Sequence, residues 1–164
     1  IMTCSQSHRG VRVHWEDVML CNGYNPLLAY KQSKLCQLLF ARGLNGRFAS
    51  SGLHAYAVDP GLVNTEIGCK AGGVVRMVWC LRRRAGVSPS VPAQIFARLC
   101  RAGVPPDGLY HDLNGAKRYS GQVTDENAGR LFALSERLCG VQARPAGWGA
   151  RWPWNAPAGV TACS

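Results

Sequence analysis

The chain has 164 residues, of which 47% are hydrophobic and 17% charged, so it holds enough apolar material for one packed domain or a large piece of one. A chain disordered throughout is excluded on the same grounds. The net charge of +10 comes from 19 Lys and Arg against 9 Asp and Glu, but the excess is scattered, with one run at Arg82, Arg83 and Arg84. That run reads as a solvated turn or helix end, with a membrane-surface contact beside the apolar residues 74–81 as the alternative. Zinc-finger spacing and RNP-type aromatic runs are absent from the sequence, so nucleic acid is not an expected partner.

Residues 1–5, IMTCS, read as the middle or end of a buried strand that stops at the polar Ser5. Residues 6–26 read as a long loop punctuated by Gly10, Gly23 and Pro26. From 27 to 48 the pattern becomes helical: Leu28, Leu35, Leu38, Leu39 and Phe40 recur near a 3.6-residue period, and Gly43 and Gly46 weaken the end. A short apolar strand over 54–58 is stopped by Asp59-Pro60-Gly61. A helix of that length between two short strands is the crossover of a parallel α/β sheet. Residues 62–88 are irregular. A second helix is expected over 90–102 with Val91-Pro92 in its first turn, then a strand over 108–113. A last helix follows Asp125, read as its cap, with Leu131, Leu134 and Leu138 on one face. Residues 141–164, with Trp and Pro but no period, read as a loose or disordered tail, an aromatic partner-binding segment being the alternative.

The eight Cys form no C-x-x-C pair, which signals neither a zinc site nor a thioredoxin-type site, and free, partly buried thiols are expected. No metal ligand is assigned. No signal peptide and no apolar run of 18 residues is evident, so no transmembrane helix is expected in these residues.

The sharpest chemical feature is Tyr30-x-x-x-Lys34, which puts both side chains on one face of a helix. A phenol with a pKa of about 10 is a poor acid–base group at neutral pH, and a neighbouring ammonium favours its phenolate. Such a pair can donate a proton to a carbonyl oxygen as hydride arrives, and take it back in reverse. Alone, the spacing reads equally as a surface pair. Its context is Ser5 at the end of one strand and Asp59-Pro60-Gly61, followed by Val63, Asn64 and Thr65, at the end of the next. Ligands of open α/β sheets bind at the C-terminal ends of strands, so Ser5, the start of the Tyr30 helix and the turn at 60–65 are expected to converge on one crevice.

In order and spacing, CSQSH, YNPLLAYKQSKLCQLLFARGL and GLHAYAVDPGLVNTE resemble the C-terminal half of the short-chain dehydrogenase/reductases, in the retinol dehydrogenase-like branch. The resemblance covers residues 1–140, taken as the C-terminal catalytic part of such a domain, and leaves 141–164 as tail. It implies an α/β, Rossmann-type parallel sheet. It makes Tyr30 the catalytic tyrosine, Lys34 the lysine that bonds the nicotinamide ribose and tunes it, and Ser5 the serine that bonds the substrate oxygen. Pro60 and Gly61 match the turn beside the nicotinamide, and Val63 and Thr65 match contacts to the carboxamide or adjacent phosphate. Ser33 matches a structural position, and His8 a loop-ordering residue of the retinol branch.

The sequence departs from the family pattern in lacking the T-G-x-x-x-G-x-G turn that cradles the pyrophosphate, the N-A-G-type segment and the Asn that precedes the serine. The resemblance places these upstream of residue 1, together with whatever selects NADP or NAD. Gly43 also departs, because the branch often carries Glu there. The implied function is an NAD(P)-dependent oxidoreductase portion acting on an apolar alcohol and its carbonyl, of retinoid, steroid or polyprenoid type. Relatives often pair as homodimers through the Tyr–Lys helix and associate with the endoplasmic reticulum membrane. The competing reading is a non-catalytic, truncated product that keeps family residues by ancestry, and the isolated chain, without the cofactor-binding turn, is expected to be inactive.

Overall fold

The computed structural model describes residues 1–63, 86–102 and 107–141. The expectations for 64–85, including Thr65 and the arginine run, and for the tail beyond 141 lie outside the described residues.

Strand β1 (Met2–Thr3) leads through a 3-10 turn (Gln6–His8) and a loop into helix α1 (Pro26–Arg47). Strand β2 (Ala57–Val58), helix α2 (Ser90–Arg101), strands β3 (Tyr110–Asp112) and β4 (Gly115–Ala116), and helix α3 (Asp125–Cys139) follow. The strands lie in the order β1-β2-β3-β4. Thr3 pairs with Val58 and Val58 with His111, both in parallel. β4 runs antiparallel to β3, with Asp112 opposite Gly115. The sheet is therefore mixed, which corrects the expectation of a wholly parallel one. A turn at Leu113-Asn114 brings the chain straight back, and the Asp112 side chain closes it by accepting from the Asn114 N–H at 2.7 Å.

Alternation along the strands covers both faces. Ala57 and Tyr110 join Leu35, Leu38, Leu39, Ala128 and Leu131 in the larger core, under α1 and α3. Tyr56 and Val58 pack with Ile95 and Leu99 of α2 in a smaller one. Each fully buried leucine contributes about 1.5–3 kcal/mol from burial alone. Of the apolar positions expected in α1, Leu35, Leu38 and Leu39 are buried, whereas Leu28 and Phe40 pack at the rim. In α3, Leu131 and Leu134 are buried, but Leu138 is exposed.

Helix boundaries follow from their caps. The Asn25 side chain accepts from the N–H groups of Leu27 and Leu28, each at 3.0 Å. Pro26 takes the first helical position, where its missing N–H costs nothing. It is thus a helix starter rather than loop punctuation. α3 is capped by Thr124, whose hydroxyl accepts from Asn127 N–H at 3.1 Å. Asp125, expected as the cap, is the first helical residue, and it pairs with both ends of the Arg42 guanidinium instead. None of the described helices is long and apolar enough to cross a membrane.

Two side-chain amides, buried Gln32 and half-buried Asn45, tie irregular backbone to α1. Gln32 donates to Val18 O at 2.8 Å and accepts from His14 N–H at 2.9 Å, anchoring the loop after the 3-10 turn. Asn45 donates to Ala55 O at 2.8 Å and accepts from Ala55 N–H at 2.6 Å, fixing the entry to β2. Cys4, Cys36, Cys100 and Cys139 are free thiols as expected, whereas Cys21 is disulfide-bonded.

The close contact of α1 with α3 explains Gly43. A Cβ there would lie 3.1 Å from Phe132 Cδ2 and 3.4 Å from Ala128 O. Phe132 is fixed by stacking on Phe40 at 5.0 Å and by the Arg47 guanidinium 4.7 Å from its ring centroid. Gly43→Glu is therefore expected to destabilise the fold by about 1–3 kcal/mol, the usual cost of overpacking, despite its better helix propensity. The midpoint of urea unfolding measures this; an unchanged or higher midpoint would contradict the packing argument.

Candidate active site

Because β1 and β2 are parallel with Thr3 opposite Val58, the segments beginning at Cys4 and Asp59 leave the sheet at the same end. α1 passes that end. Lys34 Nζ donates to Thr3 O at 3.1 Å and to Gln37 Oε1 at 3.2 Å. The Cys4 thiol donates to Lys34 O at 3.2 Å, and burial pushes that thiol up to about 11, so it stays a donor. Lys34 is thus tied to β1 through both its side chain and its backbone. Its ammonium lies 5.5 Å from the centroid of the Tyr30 ring. Tyr30 itself is 47% exposed.

Ser5 caps the 3-10 turn. Its Oγ accepts from Ser7 N–H at 3.3 Å and lies 3.1 Å from Ser7 Oγ. Where Ser7 is the donor of the hydroxyl pair, the Ser5 proton is left for an outside acceptor. No hydrogen bond joins Ser5 to Tyr30 among the described residues; what they share is the end of β1 and the flank of α1.

Beyond β2 the chain turns at Asp59-Pro60-Gly61. The Asp59 side chain accepts from Gly61 N–H at 2.9 Å through one oxygen and from the Tyr110 hydroxyl at 2.8 Å through the other. Gly61 has φ +69 and is exposed, and among the described residues no heavy atom lies within 4 Å of where its Cβ would stand. Val63 forms a parallel bridge with Val87, reinforced by Val87 N–H to Leu62 O at 2.9 Å.

These features fit the nicotinamide end of a dinucleotide. Lys34 has a third N–H beyond its two bonds, Tyr30 is accessible, and Gly61 is exposed. Nothing in the sequence supplies the glycine-rich turn for the pyrophosphate. Among the described residues, no group of three His, Cys, Asp or Glu could hold a metal ion.

His8 is wholly buried. One ring nitrogen, Nδ1, lies 2.6 Å from Ser5 O, and Nε2 accepts from Ser120 N–H at 3.2 Å. The second bond fixes the tautomer, so Nδ1 carries the proton and donates to Ser5 O. Its ring stands edge-on to Tyr110 at 5.0 Å. The loop-ordering role expected for His8 thus has a geometric counterpart.

Reading the sequence did not single out Asp59, Tyr110, Ser7 or Gln37 for the site. Asp59 stood out only as a strand terminator and Tyr110 only as a strand residue. The signal that could have found them is a carboxylate directly after one apolar strand and a tyrosine inside the next.

An α/β fold with a mixed sheet, helices on both faces and polar groups gathered at one end of its parallel strands is a partial Rossmann-like arrangement. No family model matches the chain. Human retinol dehydrogenase 13 is 34% identical over 132 residues, covering 73% of this chain and 39% of that protein. Human polyprenol dehydrogenase is 36% identical over 69 residues, or 41% of this chain and 21% of that protein. A solved structure of an uncharacterized protein from Mycobacterium paratuberculosis aligns with TM-score 0.58 and 26% identity, over 85% of this chain and 49% of that one. The chain therefore has family-level homology to the retinol dehydrogenase-like short-chain dehydrogenase/reductases, and spans less than half the length of these relatives.

Burial lowers the pKa of His8, which stays neutral in the fold although its bond to Ser5 O acts the other way. The unfolded chain therefore binds a proton below about pH 6.5 that the folded chain does not. Stability is full above that value and falls as pH drops toward the lowered native pKa. His8→Asn is expected to be less stable at about pH 8 and to show a shallower loss between about pH 7 and pH 5. Urea unfolding across pH checks this; equal slopes would refute it.

Proposed function

We propose that these residues form the nicotinamide-facing half of an NAD(P)-dependent oxidoreductase acting on an apolar alcohol and its aldehyde or ketone. The observation that carries this is the fixing of Lys34 by Thr3 O, beside an accessible Tyr30, at the strand end shared by Ser5 and the Gly61 turn. Homology to dehydrogenases of this branch supports an NAD(P)-type cofactor in general terms, without choosing NADP or NAD.

When bound, the nicotinamide supplies or accepts hydride at the carbonyl carbon. Tyr30 gives a proton to the carbonyl oxygen in reduction and removes it from the alcohol in oxidation. Lys34 keeps positive charge beside the phenol and offers its free N–H to the ribose. Ser5 donates to the substrate oxygen, oriented by Ser7. Pro60, Gly61 and Val63 would wall the nicotinamide, and the resemblance adds Thr65, which lies outside the described residues. Residues 1–140 would act as the catalytic part.

The substrate is of retinoid, steroid or polyprenoid type. The names of the relatives favour the first and last of these. A finer likeness, of AVDPGLVNTE and GLYHDLNGAKRYSG to the X-linked member of the dehydrogenase/reductase group, rests on those two segments alone. Homodimerisation through α1 and association with the endoplasmic reticulum membrane follow from the same resemblance.

Titrating the purified chain with NADPH and following cofactor fluorescence tests the proposal. Saturable binding would mean that these residues keep a usable nicotinamide site, and Tyr30→Phe should then keep binding while lowering any turnover of retinaldehyde by about 10²–10⁴-fold. A folded chain that binds no NADPH overturns the enzymatic reading in favour of the non-catalytic one.

A further inference from the structure

Between Ser5 and Gly61 runs an unbroken series of buried and part-buried contacts that the chemistry above does not use. Ser5 O accepts from His8 Nδ1, the His8 ring meets the Tyr110 ring, the Tyr110 hydroxyl donates to Asp59, and Asp59 accepts from Gly61 N–H. Asp59 is 5% exposed and Tyr110 is wholly inaccessible. We propose that Asp59 and Tyr110 are positioning residues, which set the Pro60-Gly61 turn for the nicotinamide and lock it in register with Ser5. The proposal rests on the reading of the site given above.

The argument is geometric. β2 ends at Val58, and among the described residues Pro60-Gly61 lies between two ladder contacts, Asp59 N–H to His111 O at 2.8 Å before it and Val87 N–H to Leu62 O at 2.9 Å after it. Between them the Asp59 side chain holds Gly61 N–H. A carboxyl swinging freely about its χ angles would be a poor template. Here its second oxygen is pinned by a tyrosine from the neighbouring strand, whose ring is wedged against His8. Burial, and then the bond to Asp59, raise the Tyr110 pKa, so the hydroxyl remains a donor. His8 bonds the carbonyl of Ser5 and the backbone of Ser120, so Tyr110 has a fixed wall to rest on. The same contacts that fix the cofactor turn therefore fix the backbone of the serine. Relative placement of those two groups decides whether a substrate oxygen and a nicotinamide meet at reacting distance.

Purely structural residues would lower global stability and leave the turn alone as long as the chain is folded. Two measurements on folded protein separate the cases. The first is hydrogen exchange of the Gly61 amide, referenced to the Leu39 amide inside α1. The second is binding of reduced nicotinamide mononucleotide, which lacks the adenosine half and so reports the nicotinamide end alone. Tyr110→Phe keeps the ring against His8 and deletes only the hydroxyl. It is expected to lower Gly61 protection about tenfold relative to Leu39, and to weaken the mononucleotide by a similar factor, as for loss of a bond to a charged acceptor. Asp59→Ala should do the same or more. Asp59→Asn can still accept from Gly61 and pair with the Tyr110 hydroxyl, and should restore most of both.

Unchanged Gly61 protection in Tyr110→Phe, or lost protection with undiminished mononucleotide binding, overturns the positioning role while leaving the oxidoreductase reading in place. Failure of the unsubstituted, folded chain to bind the mononucleotide overturns that reading itself, and with it the turn's role toward nicotinamide, whatever the exchange shows.

Discussion

Everything at the candidate site depends on how α1 is seated on β1. Leu35, Leu38 and Leu39 must be buried against the sheet, and that requirement sets the rotation of the helix about its axis. At about 100° per residue, Tyr30 and Lys34 then fall on a flank, close to each other and clear of the core. Lys34 could not reach Thr3 O if the helix turned by one residue. The bonds of Lys34 to Thr3 O and of Cys4 to Lys34 O complete the seating with direction as well as burial. A non-directional apolar contact and two directional polar ones thus specify one geometry between them.

The strands are short, and much of the molecule is held by side chains that do the work of a ladder. Gln32, Asn45, Asp59 and His8 each satisfy backbone groups on segments that no strand or helix claims. Among the described residues no buried side-chain polar atom lacks a partner. Such atoms would otherwise each cost roughly 1–3 kcal/mol of desolvation. Polar side chains inside this fold are therefore part of its backbone accounting, and that is why they cluster where the chain leaves the sheet.

This division also explains what could be read from the sequence. Periodicity and turn residues locate α1, α2, α3 and the strands around 54–58 and 108–113, because those signals are local. The order of Ser5, Tyr30, Lys34 and Asp59-Pro60-Gly61 suffices to place them at one strand end, because a βαβ unit leaves no other arrangement. β4 was not legible: Gly115-Ala116 has no strand propensity and exists only because the turn at Leu113-Asn114 lays it beside β3. The exposure of Leu138 was equally hidden, since it follows from where α3 runs past the edge of the core. The Asp59–Tyr110 bond joins residues 51 positions apart, and no local pattern announces it.

The groups of the candidate site are held differently. Lys34 donates to Thr3 O, the Ser5 hydroxyl accepts from the Ser7 amide, and Gly61 N–H donates to the Asp59 side chain. The Tyr30 phenol is instead exposed, on a helix whose backbone is anchored one turn further on. On the proposed reading Tyr30 is the acid–base group: fixed dipoles around it would lower the reorganisation that accompanies charge movement, while its exposure leaves it free to meet an incoming oxygen. The bonds of Lys34, at a strand end and to a buried thiol, are what the spacing Tyr30-x-x-x-Lys34 alone does not give.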